Sequence, residues 1–186
     1  MPRNETWFIS DTHFSHKNVL TFDRTDGNGK LRPHWDDIED MNDELVYNWN
    51  GLVRPNDTIY HLGDIALSRT GTAVLNRCNG NKILIRGNHD IYNFSDYAEY
   101  FDDVLSMHVH RDKETEKKVI FTHIPIHPTS MNRWDLNVHG HLHDDVVMKE
   151  NQPDERYMCV SVENTHYCPV HLNEVLSRIP KNDKNI

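Results

Sequence analysis

The 186-residue chain has few cysteines, and none sits in a metal-binding spacing. Cys78, Cys159 and Cys168 form an odd set without a C-x-x-C pair, which argues against a disulfide framework and against a thiolate zinc site. All three are expected to be reduced and structural. No apolar run approaches the roughly 18 residues that cross a bilayer. The opening Met1-Pro2-Arg3-Asn4-Glu5 lacks the basic-then-apolar pattern of a secretory leader, so a cytoplasmic protein is expected. Positive charge is also scarce. Lys and Arg number 20 against 29 Asp and Glu, a formal net charge of −9. That balance disfavours nucleic acid and anionic membrane as partners. It leaves a phosphate substrate open, because bound cations reverse the local field. Internal repeats and low-complexity linkers are lacking as well. The length fits one domain, expected over residues 1–180, with residues 181–186 as a polar, frayed tail.

What the chain does have is histidine: 14, more than its seven Tyr or six Phe. Histidine is the commonest metal ligand and a common acid or base, but scattered surface histidines are equally ordinary, so position must decide. Apolar runs at residues 6–9, 58–62, 82–85 and 119–121 read as strands. Further strands are expected at 104–109, 146–148 and 158–162. Residues 35–53 place Ile38, Met41, Leu45, Trp49 and Leu52 at helical spacing, with acidic residues in the first turn. Shorter helices are expected at 70–78, 95–101 and 172–179, and an exposed turn at 111–118. Alternating strands and helices in the first half predict an α/β fold.

Polar, metal-capable residues follow these runs: Asp11 and His13, Asp64, Asn88 and His89, and His123. A later Gly140-His141-Leu142-His143 adds a fifth segment. In open α/β sheets, sites form beyond the carboxyl ends of strands, so separate segments can deliver ligands to one place. Singly, each residue reads as well as a turn former or a surface histidine. Jointly, they supply carboxylate, imidazole and amide donors. Phosphoester hydrolysis needs an activated water and neutralised phosphoryl oxygens, and two cations roughly 3.5–4 Å apart supply both. The alternation in D-x-H and H-x-H allows both side chains of a triplet to point towards one site where the local backbone is irregular. Gly63, Gly87 and Gly140 allow tight turns and close approach.

The ordered set Asp11-Thr12-His13, Gly63-Asp64, Gly87-Asn88-His89-Asp90, His123 and Gly140-His141-Leu142-His143 resembles the signature of calcineurin-like metallophosphoesterases. The resemblance spans positions 11 to 143. It implies a two-sheet core flanked by helices, a four-layer α/β/β/α sandwich with the site at the strand ends. It implies that Asp11, His13, Asp64 and His143 hold one divalent metal. Asp64 would bridge to a second, completed by Asn88, His123 and His141, with a hydroxide between the two. It also implies that His89 acts as acid or transition-state stabiliser, with Asp90 beside it orienting His89 or capping the next helix. Mixed N/O ligation suits Mn, Fe, Zn, Co or Ni better than Mg alone. The pattern Ser10-Asp11-Thr12-His13-Phe14-Ser15-His16, with Arg24, Trp49-Asn50, His61-Leu62 and Asn164, is similar to a compact branch. His16 and Arg24 are the substrate-contact candidates. His127 and His139 flank ligands, and Arg86 reads as structural. Ile65-Ala66-Leu67 after Asp64 departs from the Val-Asp-Arg-Gly continuation of Ser/Thr protein phosphatases. The expected substrate is therefore a small or nucleotide-like phosphoester, preferably a diester, in a pocket made by residues 14–34 and 124–138. A phosphomonoesterase, a nuclease and an inactive metal-binding scaffold are the alternatives. A 2-His-1-carboxylate oxygenase fits Asn88 and a bridging Asp64 less well.

Overall fold

The computed structural model describes residues 4–179. The tail expected at 181–186 lies outside the described residues. In chain order the strands are β1 (Thr6–Ile9), β2 (Thr58–His61), β3 (Asn81–Ile85), β4 (Asp103–Leu105), β5 (His108–Arg111) and β6 (Lys118–Phe121). They continue as β7 (Leu136–His139), β8 (Met148–Lys149), β9 (Gln152–Pro153), β10 (Tyr157–Cys159) and β11 (Val170–His171). The α-helices are α1 (Ile38–Leu52), α2 (Arg69–Thr72), α3 (Phe94–Tyr97) and α4 (Leu172–Ser177).

One sheet has the order β11-β1-β2-β3-β4, parallel from β1 to β4 with β11 antiparallel at the edge. The other has the order β10-β7-β6-β5, parallel except for the β5–β6 pair. Their inner faces share one apolar layer, in which Phe8, Leu62 and Ile85 meet Val119, Phe121, Leu136 and Val138. Phe8 and Phe121 pack tilted, ring centroids 4.6 Å apart. The outer face of the first sheet is covered by α1. Because β1 is buried on both faces, Phe8 and Ile9 are both apolar, and the run does not alternate.

Helix α1 follows from its own residues. The Asp37 carboxylate accepts the Glu39 amide at 2.8 Å, and Glu39 and Asp40 complement the dipole. Ile38, Met41, Leu45 and Trp49 form the buried stripe, each contributing about 1.5–3 kcal/mol. The helix stops before Arg54-Pro55, where proline disfavours helical geometry in the residue ahead of it. Trp49 Nε1–H donates to the Asn79 carbonyl at 2.9 Å, and Asn50 bridges Arg77 and Asn79. The Trp49-Asn50 pair thus pins α1 to the turn before β3. Truncating Trp49 to Ala would cost about 3–5 kcal/mol.

Four expectations are corrected. Residues 104–109 form two strands in different sheets, β4 and β5, because the chain crosses between sheets at Ser106-Met107 and leaves Met107 exposed. The helix expected at 70–78 is α2 followed by a 3-10 turn, Ala73–Arg77, around glycine and β-branched residues. The strand expected at 146–148 is reduced to a two-residue ribbon, β8 with β9. The strand expected to 162 ends at Cys159, and Val162 opens a 3-10 turn. The fully buried β7 was not anticipated. Its Asn137 breaks the apolar pattern but is satisfied internally, its Nδ2 donating to the Ile120 carbonyl and to Thr122 Oγ1.

Candidate metal centre

Every sequence-selected ligand emerges just past the carboxyl end of a strand: Asp11 and His13 after β1, Asp64 after β2, Asn88 and His89 after β3. His123 follows β6, and His141 and His143 follow β7. The loops are cross-tied. Asp11 N–H donates to the Gly63 carbonyl at 3.0 Å and His13 N–H to the Asp64 carbonyl at 3.2 Å. Thr12 Oγ1 donates to the Ile65 carbonyl, so it accepts from His61 Nε2–H at 3.0 Å. His61, fully buried, is thus a brace for the first ligand loop, and burial pushes its imidazole down to about 3.

Two triads result. Asp11, His13 and His143 bring one ligand-capable atom each within 4.8 Å of one another, and so do Asp64, His123 and His141. The backbone shows how. Asp11, His13, Asp64, His141 and His143 all have φ between 48° and 71°, the left-handed region. Placing residues i and i+2 of D-x-H and H-x-H there turns both side chains inward. Gly63, at φ 91°, lies so close to the next loop that a Cβ would stand 2.6 Å from Gly87 N and from His123 Nδ1. At Gly87, a Cβ would strike the Asp64 carboxylate.

The donor chemistry fits divalent cations. His123 Nδ1–H donates to the Leu62 carbonyl at 2.7 Å, which leaves Nε2 as a lone-pair donor in the neutral ring. That Nε2 faces Asn88 Oδ1 at 2.9 Å and Asp64 Oδ2 at 3.3 Å. Three acceptors turned on one point suit a cation. His13 Nδ1 is buried without a hydrogen-bond partner among the described residues. Burial, then the Arg32 and His143 charges, hold His13 well below its usual value, in the neutral form that ligates. Burial likewise lowers His141, helped by His123. Asp64 is held at about 2: burial opposes its charge, but the hydrogen bond and charge that His123 supplies when its ring carries a second proton, together with the His89 amide, outweigh it. Burial pushes Asp11 up, partly offset by His123 and His143. Asp11 accepts Ser161 Oγ–H at 2.7 Å and the His141 amide at 2.9 Å.

The remaining candidates divide. His89 is exposed beside the centre, its ring 5.8 Å from that of His13, and its amide donates to Asp64 Oδ1 at 2.9 Å. The His16 ring lies 5.6 Å from that of His13. Asp90 is 1% exposed, and its carboxylate accepts the amides of Gly87 (2.7 Å), Asp64 (2.8 Å) and Ile65 (3.0 Å). It therefore clamps two ligand loops and does not cap α3, where Asn93 stands at the cap. Arg24 does not reach the triads. It pairs with Asp26 at 3.2 Å and with Asp144 at 3.7 Å on the rim. Arg86 donates to the carbonyls of Asp90 and Tyr92. His127 caps a 3-10 turn by accepting the Thr129 amide, and His139 Nδ1–H donates to the Gly140 carbonyl. Asn164 donates to the His143 carbonyl. Sequence reasoning missed Ser161, Arg32 and Glu163, whose contacts with the centre cross 20 to 150 residues of chain.

A cavity of about 470 Å³ adjoins Asn88 and His123 and is walled by Met107, Ile124 and Arg86. A larger one, about 820 Å³, opens beside β10 and contains none of the triad residues. The smaller cavity is the one that touches the chemistry.

The chain belongs to the calcineurin-like phosphoesterase family, whose pattern matches residues 5–157. It is therefore a hydrolase acting on phosphoester bonds, of a metal-binding family. It is similar to the uncharacterized protein MJ1445 of Methanocaldococcus jannaschii, 30% identical over 187 residues, covering 97% of this chain and 94% of that one. It is also similar to the Gene 66 protein of Mycobacterium phage L5, at 26% identity over 178 residues, covering 80% and 82%. Among solved structures, the protein of unknown function AQ665 from Aquifex aeolicus matches with a TM-score of 0.69 and 25% identity, covering 94% of this chain and 99% of that one. Among the described residues, no helix is long and apolar enough to cross a membrane.

Proposed function

We propose that the chain hydrolyses a phosphodiester of a small or nucleotide-like substrate at a dinuclear centre. Two triads tied to each other, by the His141 amide on the Asp11 carboxylate and the His13 amide on the Asp64 carbonyl, carry this reading. Asp11, His13 and His143 would hold one divalent ion, and Asp64, Asn88, His123 and His141 the other, with Asp64 shared. Mn, Fe, Zn, Co and Ni suit this N/O donor set. Bound there, the cations would activate a water and neutralise the phosphoryl oxygens. Asn88 and His89 sit on the exposed lip of the centre. From there His89 donates a hydrogen bond to a phosphoryl oxygen and a proton to the departing alkoxide.

The preference for a diester is supported by the adjoining cavity. Met107 and Ile124 are each 53% exposed, and Arg86 is committed to backbone carbonyls. That wall suits an uncharged second ester arm better than a second anionic group.

The test is hydrolysis of paired chromogenic phosphomonoesters and phosphodiesters after metal stripping and single-metal add-back, with Asp64→Asn in parallel. Metal-dependent turnover, faster on the diester and reduced at least about 100-fold in the variant, is expected. Faster turnover of the monoester would overturn the diester preference. No turnover from folded protein that also fails to bind two equivalents would overturn the dinuclear reading.

A further inference from the structure

We infer that Glu163 and Arg32 are positioning residues for the first triad: Glu163 orients His143, and Arg32 fixes both Glu163 and the backbone that carries Asp11. This rests on the metal-centre reading above.

The Arg32 side chain is fully buried, an unusual place for a guanidinium, and each of its nitrogens is used. Nε donates to Glu163 Oε1 at 2.8 Å, and Nη2 lies 2.7 Å from the same oxygen. Nη1 donates to the Thr12 carbonyl at 2.9 Å, and Nη2 to the Asp11 carbonyl at 2.5 Å. Glu163, whose side chain is 3% exposed, accepts His143 Nδ1–H at 3.0 Å through that Oε1. The contacts form one chain from the Asp11–Thr12 backbone through Arg32 and Glu163 to His143.

With Nδ1–H committed, His143 presents Nε2 as its free donor and its ring cannot rotate without breaking the bond. The second triad is supported differently: the corresponding bond of His123 runs to a neutral carbonyl, that of Leu62. A plain structural ion pair is the competing reading, and Arg32 Nη1 does also reach the core at Met41 Sδ, 3.3 Å away. Buried ion pairs add little net stability, however, and the other contacts of this one go to a ligand ring and a ligand loop.

The consequence is selective. Disturbing Glu163 or Arg32 weakens the site of Asp11, His13 and His143 and spares that of Asp64, His123 and His141. The test is calorimetric titration of metal-stripped protein with Mn²⁺, and with Co²⁺ while following its visible absorption. It compares wild type with Glu163→Gln and Arg32→Lys, each checked for folding by circular dichroism. The expected result is a loss of about 10–100-fold in affinity at one of two sites, with the other unchanged within about threefold. A changed Co²⁺ band from the weakened site is expected alongside. Asp57→Asn, which lies outside the centre, should destabilise the fold without moving either affinity. If Glu163→Gln does not fold, Arg32→Lys carries the same comparison. Variants that bind two equivalents as wild type does, or that weaken both sites equally, overturn the positioning role alone. Wild type that binds no metal overturns the metal-centre reading with it.

Discussion

Replacing Asp90 by Asn separates a clamp from a catalyst. The Asp90 carboxylate takes three backbone amides, two on Oδ2 and one on Oδ1, from both the loop after β2 and the loop after β3. Asn keeps one acceptor oxygen and turns its amide against the third N–H. Set on Oδ2, the oxygen retains the Gly87 and Asp64 amides, now without charge assistance, at a loss of about 1 kcal/mol each. The Ile65 amide is left buried and unpaired, at about 1–3 kcal/mol. The sum is about 3–5 kcal/mol. For a chain of this length it lowers the melting temperature by about 6–20 °C. The same loops carry Asp64 and Asn88, so metal affinity falls together with stability. Scanning calorimetry of stripped and Mn²⁺-loaded protein, with turnover measured at metal saturation, reads all three. Should the variant melt within about 2 °C of wild type, bind metal normally and still lose turnover about 100-fold, the clamp argument fails and Asp90 acts in the chemistry itself.

Two other positions give independent checks. Gly63→Ala places a Cβ against Gly87 N and His123 Nδ1 in a left-handed backbone, so it should cost about 3 kcal/mol or more in urea denaturation and reduce bound metal below two equivalents. Urea stability within about 1 kcal/mol of wild type would contradict the close approach. Asp57 is buried, which opposes its charge. The amides of Glu5 and Arg54, both at 2.9 Å, and the Trp7 indole at 3.3 Å outweigh that and hold its pKa below the usual value. Its contribution is therefore complete above the unfolded value near ~4 and is lost as pH falls through the folded one. Asp57→Asn should be less stable than wild type by about 2 kcal/mol at pH 7, and the difference should shrink steadily below about pH 4. A gap that stays constant with pH would refute the assignment.

The site was legible where ligands follow apolar runs directly. Asp11, Asp64, Asn88 and His123 each follow a run that the sequence marks by itself, and the α/β character follows from the same runs. Its supports were not legible, because nothing local distinguishes them. Arg32 sits in an irregular loop and meets Glu163 across 131 residues, and Ser161 meets Asp11 across 150. Arg24 in the same loop had the better motif context, yet it pairs with aspartates on the rim. Polar residues inside buried elements misled in the same way. Asn137 hid β7, although its amide replaces backbone partners within the sheet. Trp49 and Asn50 belong to the compact-branch pattern but are committed to the turn before β3, a contact set by where α1 lies on the sheet.

The backbone of the centre explains why so many side chains support it. Five of the six triad residues have positive φ, and left-handed geometry in a residue other than glycine costs about 1 kcal/mol or more. The total, about 5 kcal/mol, is comparable with the whole stability of a typical domain, about 5–15 kcal/mol. It has to be offset within the fold. The bonds found at those segments are the ones that can do so. Arg32 holds the Asp11 and Thr12 carbonyls, Asp90 holds the Asp64 and Ile65 amides, and the Asp11 carboxylate holds the His141 amide. Each bond joins a buried charged side chain to backbone at or beside a left-handed residue, where a hydrogen bond is worth about 1.5–3 kcal/mol. The strained loops are thus held in shape by the protein's own buried charges.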